Sequence, residues 1–192
     1  MTAPKPSPDR RVRRTRASLQ EALASLLTEQ DWDQINVQEI CDRADVGRST
    51  FYLHFQGKEQ LLSESFGGLR RFLQDPARHP GGRIEGLPFL RRLLQHVLEQ
   101  RKLFQAVIGR GSSQLVQARF RGMVAELTEE DLLRSAKPGW RREVTARFLA
   151  GAIVEALAWW VDARCEPRLE EVEGHLQQVC AAVKGAGRTG KM

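Results

Sequence analysis

Cysteine is scarce in this chain, and its three copies, Cys41, Cys165 and Cys180, lie far apart. The sequence contains no Cys-x-x-Cys pair and no cysteine and histidine at zinc-binding spacing. This pattern supports neither a disulfide framework nor a zinc site. We therefore expect reduced, buried thiols in an intracellular protein that uses no metal and no cofactor.

A signal peptide and a long apolar run are also missing. The first nine residues hold prolines and charged residues where a signal peptide would have an apolar stretch. The most apolar run, residues 148–161, is too short to cross a bilayer and includes Glu155. These absences predict a soluble, cytoplasmic protein that has no membrane segment.

Sequence signatures of common enzyme classes are absent as well. The chain has no His-Glu-x-x-His, no Gly-x-Ser-x-Gly, no phosphate-binding P-loop and no conspicuous pair of carboxylates. We therefore do not expect this protein to be an enzyme.

What the chain has in abundance is helix-forming residues. It contains a single tyrosine and few β-branched residues, and its apolar residues recur at three- and four-residue spacing. The expected fold is all-α with about nine helices. The expected helices lie at about residues 11–28, 37–44, 48–55, 58–74, 89–101, 103–108, 112–127, 141–164 and 168–184. Glycine and proline predict a loop at 75–88 and a turn at 138–139, and we expect a frayed tail after Lys184.

The positive charge of the chain, +6 in total, is concentrated in two places. Residues 10–16 hold five arginines, and a second basic group consists of Arg43, Arg48 and Lys58. The stretch between them, residues 21–42, is acidic and has no lysine or arginine. Such a distribution fits an anionic partner, although an arginine run by itself also fits a solvated tail.

A helix-turn-helix is predicted over residues 36–54. Asn36 is suited to cap the first short helix, with Glu39 as its capping-box partner. Residues 45–47 form the turn, and Phe51 is expected to fill the corner between the two helices. The outward face of the second helix then carries donors and acceptors that suit a DNA major groove. Those residues are Arg48, Ser49, Thr50, Tyr52 and His54.

On these residues the chain resembles the TetR/AcrR family of repressors. The resemblance extends from Arg13 to about Leu62, and its most specific part is Val-Gly-Arg-Ser-Thr-Phe-Tyr-Leu-His-Phe at 46–55. The sequence Lys-Glu-Gln-Leu-Leu follows at 58–62. Two positions depart from the family pattern, since the family more often has glycine at position 45 and threonine at position 36.

The resemblance implies DNA binding by a homodimer on a palindromic operator. Arg48, Ser49 and Thr50 would lie nearest the bases, whereas Tyr52 and His54 would touch phosphates. Lys58 would lie with its helix N-terminus against the DNA backbone, and the N-terminal arm would follow that backbone or enter the minor groove. For Tyr52 a purely structural place in the core is the alternative. The DNA-binding residues expected in this way are Arg11, Arg13, Arg14, Asn36, Gln38, Arg48, Ser49, Thr50, Tyr52, His54 and Lys58.

The remainder of the chain resembles the effector-binding and dimerisation region of the family only in the order of its helices. The expected domains are a helix-turn-helix domain at 1–57 with an arm at 1–10, a connecting helix at 58–75, and an effector and dimerisation domain at 76–192. The candidate ligand-pocket residues, for which an ordinary core is the alternative, are Phe72, Phe89, Leu93, Phe104, Phe120, Met123, Phe148, Glu155 and Trp159. The candidate dimer-interface residues are Val154, Trp160, Val172, Leu176, Val179 and Val183.

Two polar side chains in this half have several interpretations. Glu155 could meet a cationic ligand, pair with an arginine such as Arg92, or face solvent at the rim of an interface. His96 is similarly ambiguous, although a histidine in such a position is more often at the surface. The resemblance implies a repressor that a small apolar effector releases from DNA, and the alternative is a DNA-binding dimer controlled by a protein partner or acting architecturally.

Overall fold

In the computed structural model, the described residues are 8–75, 86–109, 112–133 and 138–189. Throughout these ranges the regular structure is helical, and no strand occurs, which confirms the expected all-α fold. The helices are α1 (Pro8–Leu27), α2 (Val37–Ala44), α3 (Arg48–His54), α4 (Lys58–Gln74), α5 (Phe89–Glu99), α6 (Arg101–Ile108), α7 (Gln114–Leu133), α8 (Trp140–Asp162) and α9 (Leu169–Thr189).

Both terminal helices are longer than the sequence pattern predicts. Helix α1 begins at Pro8, where proline fits the first helical turn because its missing N–H would have no partner there. Helix α9 continues through the expected tail to Thr189, since no proline follows Pro167 to interrupt it. Most of the expected arm and of the expected loop at 75–88 falls outside the described residues.

The chain divides into two compact units, Met1–Ser65 and Phe66–Met192, and the boundary falls within α4. In the first unit α2 packs against both α1 and α3. The Phe51 and Phe55 rings lie 5.7 Å apart in the core, and Trp32 is buried as well. The other core side chains come mainly from one face of α1 and from α2, and they are Leu19, Ala22, Leu23, Leu26, Leu27, Ile35, Ile40, Cys41, Leu61 and Leu62.

Charged groups reinforce the packing of α1 in this unit. Arg43 of α2 donates to both carboxylate oxygens of Glu29, each at 2.7 Å, and to the Ser25 hydroxyl at 2.6 Å. The hydrogen bond from Arg43 lowers the pKa of the Glu29 carboxyl. Arg16 pairs with Glu64, and its guanidinium lies 4.9 Å from the centre of the Phe55 ring.

In the second unit α8 packs chiefly on α7 and also contacts α6 and α9. Eight of its side chains are buried, and the Trp160 indole N–H donates to the Pro167 carbonyl at 2.8 Å. By length and composition α8 could span a membrane, although the apolar run inside it is shorter. One helix of this kind is also typical of a protein core, and the burial of eight side chains is the expected property of such a core helix.

The three thiols are free. Cys41 and Cys180 are buried and Cys165 is half-buried. Burial raises the pKa of each thiol, which favours the protonated and unreactive form.

A row of aromatic rings runs through the second unit and contains His96. The ring centre of His96 lies 5.4 Å from that of Phe72 and 5.6 Å from that of Phe104. Phe104 then contacts Phe120, which in turn contacts Phe66. Burial lowers the pKa of His96, although the negative charge of Glu99 opposes this effect. His96 is therefore half-buried among aromatic rings and not a simple surface residue.

This environment predicts that the stability of the second unit falls on acidification. An unfolded histidine gains its proton at about pH 6.5, whereas folded His96 resists protonation until a lower pH. Below about pH 6.5 the unfolded chain thus binds more protons, and the free energy of unfolding should fall by at most about 1.4 kcal/mol per pH unit. Urea unfolding measured between pH 7.5 and 5 should show a smaller fall in the free energy of unfolding for His96→Gln than for the wild type. His175→Gln, on an exposed part of α9, is the control, and an equal slope in the wild type and His96→Gln would refute this origin.

Candidate nucleic-acid interface

The first short helix of the helix-turn-helix, α2, is fixed at both ends by local hydrogen bonds. The Asn36 side chain accepts from the Glu39 N–H at 3.0 Å, and the Glu39 carboxylate accepts from the Asn36 N–H at 2.9 Å. At the other end Asp45 adopts a left-handed conformation with φ of 52°, and the Val46 N–H donates to the Cys41 carbonyl at 3.0 Å. The expected capping box and turn are therefore present, and aspartate supplies the conformation for which glycine is usually suited.

The second helix, α3, has one side in the core and the other side in solvent. Phe51 is fully buried, whereas Arg48 and Ser49 are exposed and Thr50 is half-buried. The three residues expected nearest to DNA bases thus lie on one short helix. The burial of Phe51 determines which side of that helix faces the solvent.

Tyr52 packs against the core with its ring and is also exposed to solvent. Its ring meets the edge of the Phe51 ring at 5.3 Å between centres, yet 51% of the side chain is exposed. His54 is half-buried, with its ring centre 6.4 Å from that of Phe55. The polar atoms of Tyr52 can therefore reach an outside partner while its ring helps to position α3.

The arginines near the N-terminus are part of α1 and lie beside the turn of the helix-turn-helix. Arg11 and Arg14, together with Arg10, line a surface cleft whose other wall includes Asp45 and Val46. These side chains make the cleft strongly basic, with one acidic group at the turn. Arg13 does not line this cleft, and its guanidinium lies 3.3 Å from the Asp9 carboxylate.

Lys58, which was expected at the DNA backbone, is bound within the protein. Its ammonium group donates to the carbonyl oxygens of Trp32 at 2.8 Å and of Ile35 at 2.7 Å. It also lies 4.5 Å from the centre of the Trp32 ring. This lysine joins the start of α4 to the loop between α1 and α2, so a contact with phosphate would compete with these interactions.

Asn36 and Gln38 also have partners inside the protein. The Asn36 side chain is the cap of α2, and the Gln38 side-chain amide donates to Asp42 at 2.6 Å. Both side chains remain exposed, so they lie on the surface of the helix-turn-helix while supporting its geometry.

Leu53 is an outward residue of α3 that the sequence pattern did not mark. It is 81% exposed, although an apolar residue beside Phe51 invites assignment to the core. The signal that identifies it is position, because a residue two places from a buried helical residue lies on the opposite side of the helix.

The candidate ligand-pocket residues separate into two groups. Phe89, Leu93, Phe104, Phe120 and Met123 are buried, and Phe72 is half-buried with the guanidinium of Arg92 lying 4.5 Å from its ring centre. Phe148 and Trp159 are 62% and 57% exposed, and Glu155 is exposed as well. The exposed group therefore lies on the surface of the second unit instead of lining its interior.

Most of the candidate dimer-interface residues are buried, although an interface with a partner needs exposed side chains. Val154, Trp160, Val172 and Leu176 are buried within the protein's own second unit, whereas Val179 is 40% exposed and Val183 is half-buried. Of the two adjacent tryptophans, Trp159 is the outward one. The apolar surface open to a partner on α8 therefore includes Phe148 and Trp159, and not Val154 or Trp160.

Comparison with known proteins places the helix-turn-helix in a defined group. Residues 19–64 match the family model described as bacterial regulatory proteins of the tetR family. An uncharacterized HTH-type transcriptional regulator, YxbF of Bacillus subtilis, is 46% identical over 55 residues, which are 28% of this chain and 14% of that protein. The HTH-type dhaKLM operon transcriptional activator DhaS of Lactococcus lactis is 31% identical over 91 residues, which are 47% of this chain and 49% of that protein. The matches thus span less than half the length of these two curated relatives.

The fold also has relatives among solved structures. A TetR transcriptional regulator from Streptococcus agalactiae is 26% identical to this chain and superimposes with a TM-score of 0.66. The superposition covers 90% of this chain and 96% of the other. The likeness therefore extends through the C-terminal helices as well as the helix-turn-helix.

We predict that Lys58→Met destabilises the first unit by about 2 kcal/mol. The substitution keeps an unbranched side chain one atom shorter, but it removes two charge-assisted hydrogen bonds and a cation–π contact. Urea unfolding monitored by circular dichroism measures the change. Lys102→Met, on an exposed part of α6, is the matched control and should leave the stability unchanged. Equal stability of the two variants would contradict a structural role for Lys58.

Proposed function

The chain belongs to the TetR family of transcriptional regulators, and we propose that it binds double-stranded DNA through α2 and α3. The observation that supports this most directly is the orientation of α3, which buries Phe51 and leaves Arg48 and Ser49 exposed. A short helix with such an outward face fits the major groove, where arginine and hydroxyl side chains bind base edges.

Contacts with the DNA backbone are proposed for the residues around this face. Tyr52 and His54 have polar atoms near its edge, and the basic cleft beside the turn brings Arg11 and Arg14 close to the same end of the helix-turn-helix. Positive side chains in this position would neutralise phosphates and release counterions. Lys58, Asn36 and Gln38 are proposed to act mainly by holding the helix-turn-helix in shape.

We propose that the protein acts as a homodimer joined by the exposed faces of α8 and α9. Helix α8 is apolar along most of its length, yet Val144, Phe148 and Trp159 lie exposed along one stripe. Val179 of α9 is exposed as well. Exposed apolar side chains on one side of a helix are typical of a protein interface, and the exposed Glu155 lies among them. A dimer would present two recognition helices to successive major grooves.

The proposed biological role is repression that a small apolar effector relieves, in the cytoplasm and without catalysis. The aromatic row of the second unit supports an effector of this chemistry, because Phe72 and His96 are only half-buried. An effector would act by favouring a dimer with wrongly spaced DNA-binding units, and it could shift that balance only by its difference in affinity for the two states.

Activation is the second candidate role, because the Lactococcus lactis relative is an operon activator by name. Control by a protein partner in place of a small molecule also stays a candidate. All of these candidates share the DNA-binding surface, so the first experiment concerns DNA alone.

We predict saturable binding to a short palindrome upstream of the gene for this chain, measured by fluorescence anisotropy at several salt concentrations. Arg48→Ala should weaken binding about tenfold and relax specificity at one base pair, since it removes a contact with a base. Tyr52→Phe removes the hydroxyl but keeps the ring against Phe51, so a loss of affinity would report a contact of the hydroxyl and not misfolding.

Arg121→Ala, on an exposed part of α7, is the matched control for loss of one positive charge and should bind like the wild type. If all four proteins bind random DNA and the palindrome equally, either the assignment of α3 as the recognition helix is wrong or the operator lies elsewhere. A genome-wide selection of bound fragments would then show whether another operator exists.

We further predict that Phe148→Asp converts the dimer into a monomer, because it places a charge on the exposed apolar stripe of α8. Sedimentation equilibrium measures the mass of the wild type and the variant. Leu98→Asp, on an exposed part of α5, is the control and should remain dimeric. A variant Phe148→Asp that keeps the wild-type mass would show that the interface lies elsewhere.

A further inference from the structure

Leu53 is the most exposed large apolar side chain in the described part of the chain, at 81%. Single exposed leucines are common on protein surfaces and by themselves indicate nothing. This leucine, however, lies on the outward side of the helix that would enter the major groove, one residue before that helix ends at His54. An apolar side chain in that position would face the edges of the base pairs.

The geometry of α3 places Leu53 at the centre of the outward face. Successive residues of an α-helix are about 100° apart, so Leu53 lies about 160° from the fully buried Phe51. Ser49 and Thr50, four and three residues earlier, are its neighbours on the helix surface. Leu53 is thus flanked by hydroxyl groups and points away from the protein core.

We propose that Leu53 is a specificity-determining residue that contacts the C5 methyl group of a thymine in the operator. This inference depends on the proposed function and adds a base preference to it. Thymine carries the apolar group that base edges present in the major groove, whereas the other positions offer hydrogen-bond donors and acceptors. A leucine can neither donate nor accept a hydrogen bond, so a cytosine at that position would offer it no matching group.

The test removes a single methyl group from the DNA. An operator is first selected from a random pool with the wild-type protein, and each thymine of one half-site is then replaced in turn by deoxyuridine. Deoxyuridine keeps the hydrogen-bonding groups of thymine and lacks only the methyl. Affinities are measured by fluorescence anisotropy for the wild type and for Leu53→Ala, which removes the apolar contact from an exposed helical site where alanine is well tolerated.

The expected result is one thymine whose replacement weakens wild-type binding about fourfold, which corresponds to about 0.8 kcal/mol for one buried methyl-sized group. Leu53→Ala should bind the thymine operator more weakly and should not distinguish thymine from deoxyuridine at that position. A second variant, Leu53→Gln, should shift the preferred base there towards adenine, because glutamine pairs with its major-groove edge.

Other results would overturn the inference. If no deoxyuridine replacement weakens wild-type binding, or if Leu53→Ala keeps the full sensitivity to the methyl, Leu53 does not contact thymine. Leu98→Ala, a change at an exposed leucine of α5, is the control and should keep the methyl dependence of the wild type. If Arg48→Ala loses binding but no deoxyuridine replacement weakens binding of the wild type, this inference is refuted and the proposed function is not. If the wild type selects no preferred sequence at all, the proposed function is refuted as well.

Discussion

A helix of seven residues gains too little from its own hydrogen bonds to remain folded in water, because the first turn costs more than such a short helix recovers. Helix α3 therefore depends on the burial of Phe51, which is fully covered and lies 5.7 Å from the Phe55 ring. The same burial decides which residues of α3 face outward, since the side of the helix opposite Phe51 is left in solvent. The proposed recognition surface is thus a consequence of core packing in the first unit.

Positive residues in the first unit have two different roles, stabilising the fold and forming a basic surface. The net charge of the chain does not distinguish these roles. Arg16, Arg43 and Lys58 bind carboxylates, carbonyls or aromatic rings and hold the helices together. Arg11 and Arg48 are exposed near the helix-turn-helix. A substitution in the first group acts through the fold, whereas one in the second group acts at the surface where an anion would bind.

Features that depend on neighbouring residues were predictable from the sequence, and features that depend on distant ones were not. The bounds of α2 and α4 follow from local caps and breaks, and the structure reproduces them. Lys58, by contrast, binds carbonyls 26 and 23 residues away, which no local pattern reveals. The sequence also did not reveal which side of α8 faces the solvent, because an almost uniformly apolar helix has no polar face to mark its outside. The pattern therefore placed Trp159 in a pocket and Trp160 at an interface, whereas in the structure Trp159 is exposed and Trp160 is buried.

The helical start of α1 has a consequence for the reach of its arginines. From Arg10 to Arg14 a helix advances only about 6 Å, whereas an extended chain would cover about 13 Å. The arginines of this segment are therefore gathered at one location and cannot be strung along a groove while the helix persists. Because their backbone is already ordered, an anion that binds there does not bear the entropic cost of arranging it. The segment resembles a preformed receptor for a compact anionic group more than a tail that folds around its target.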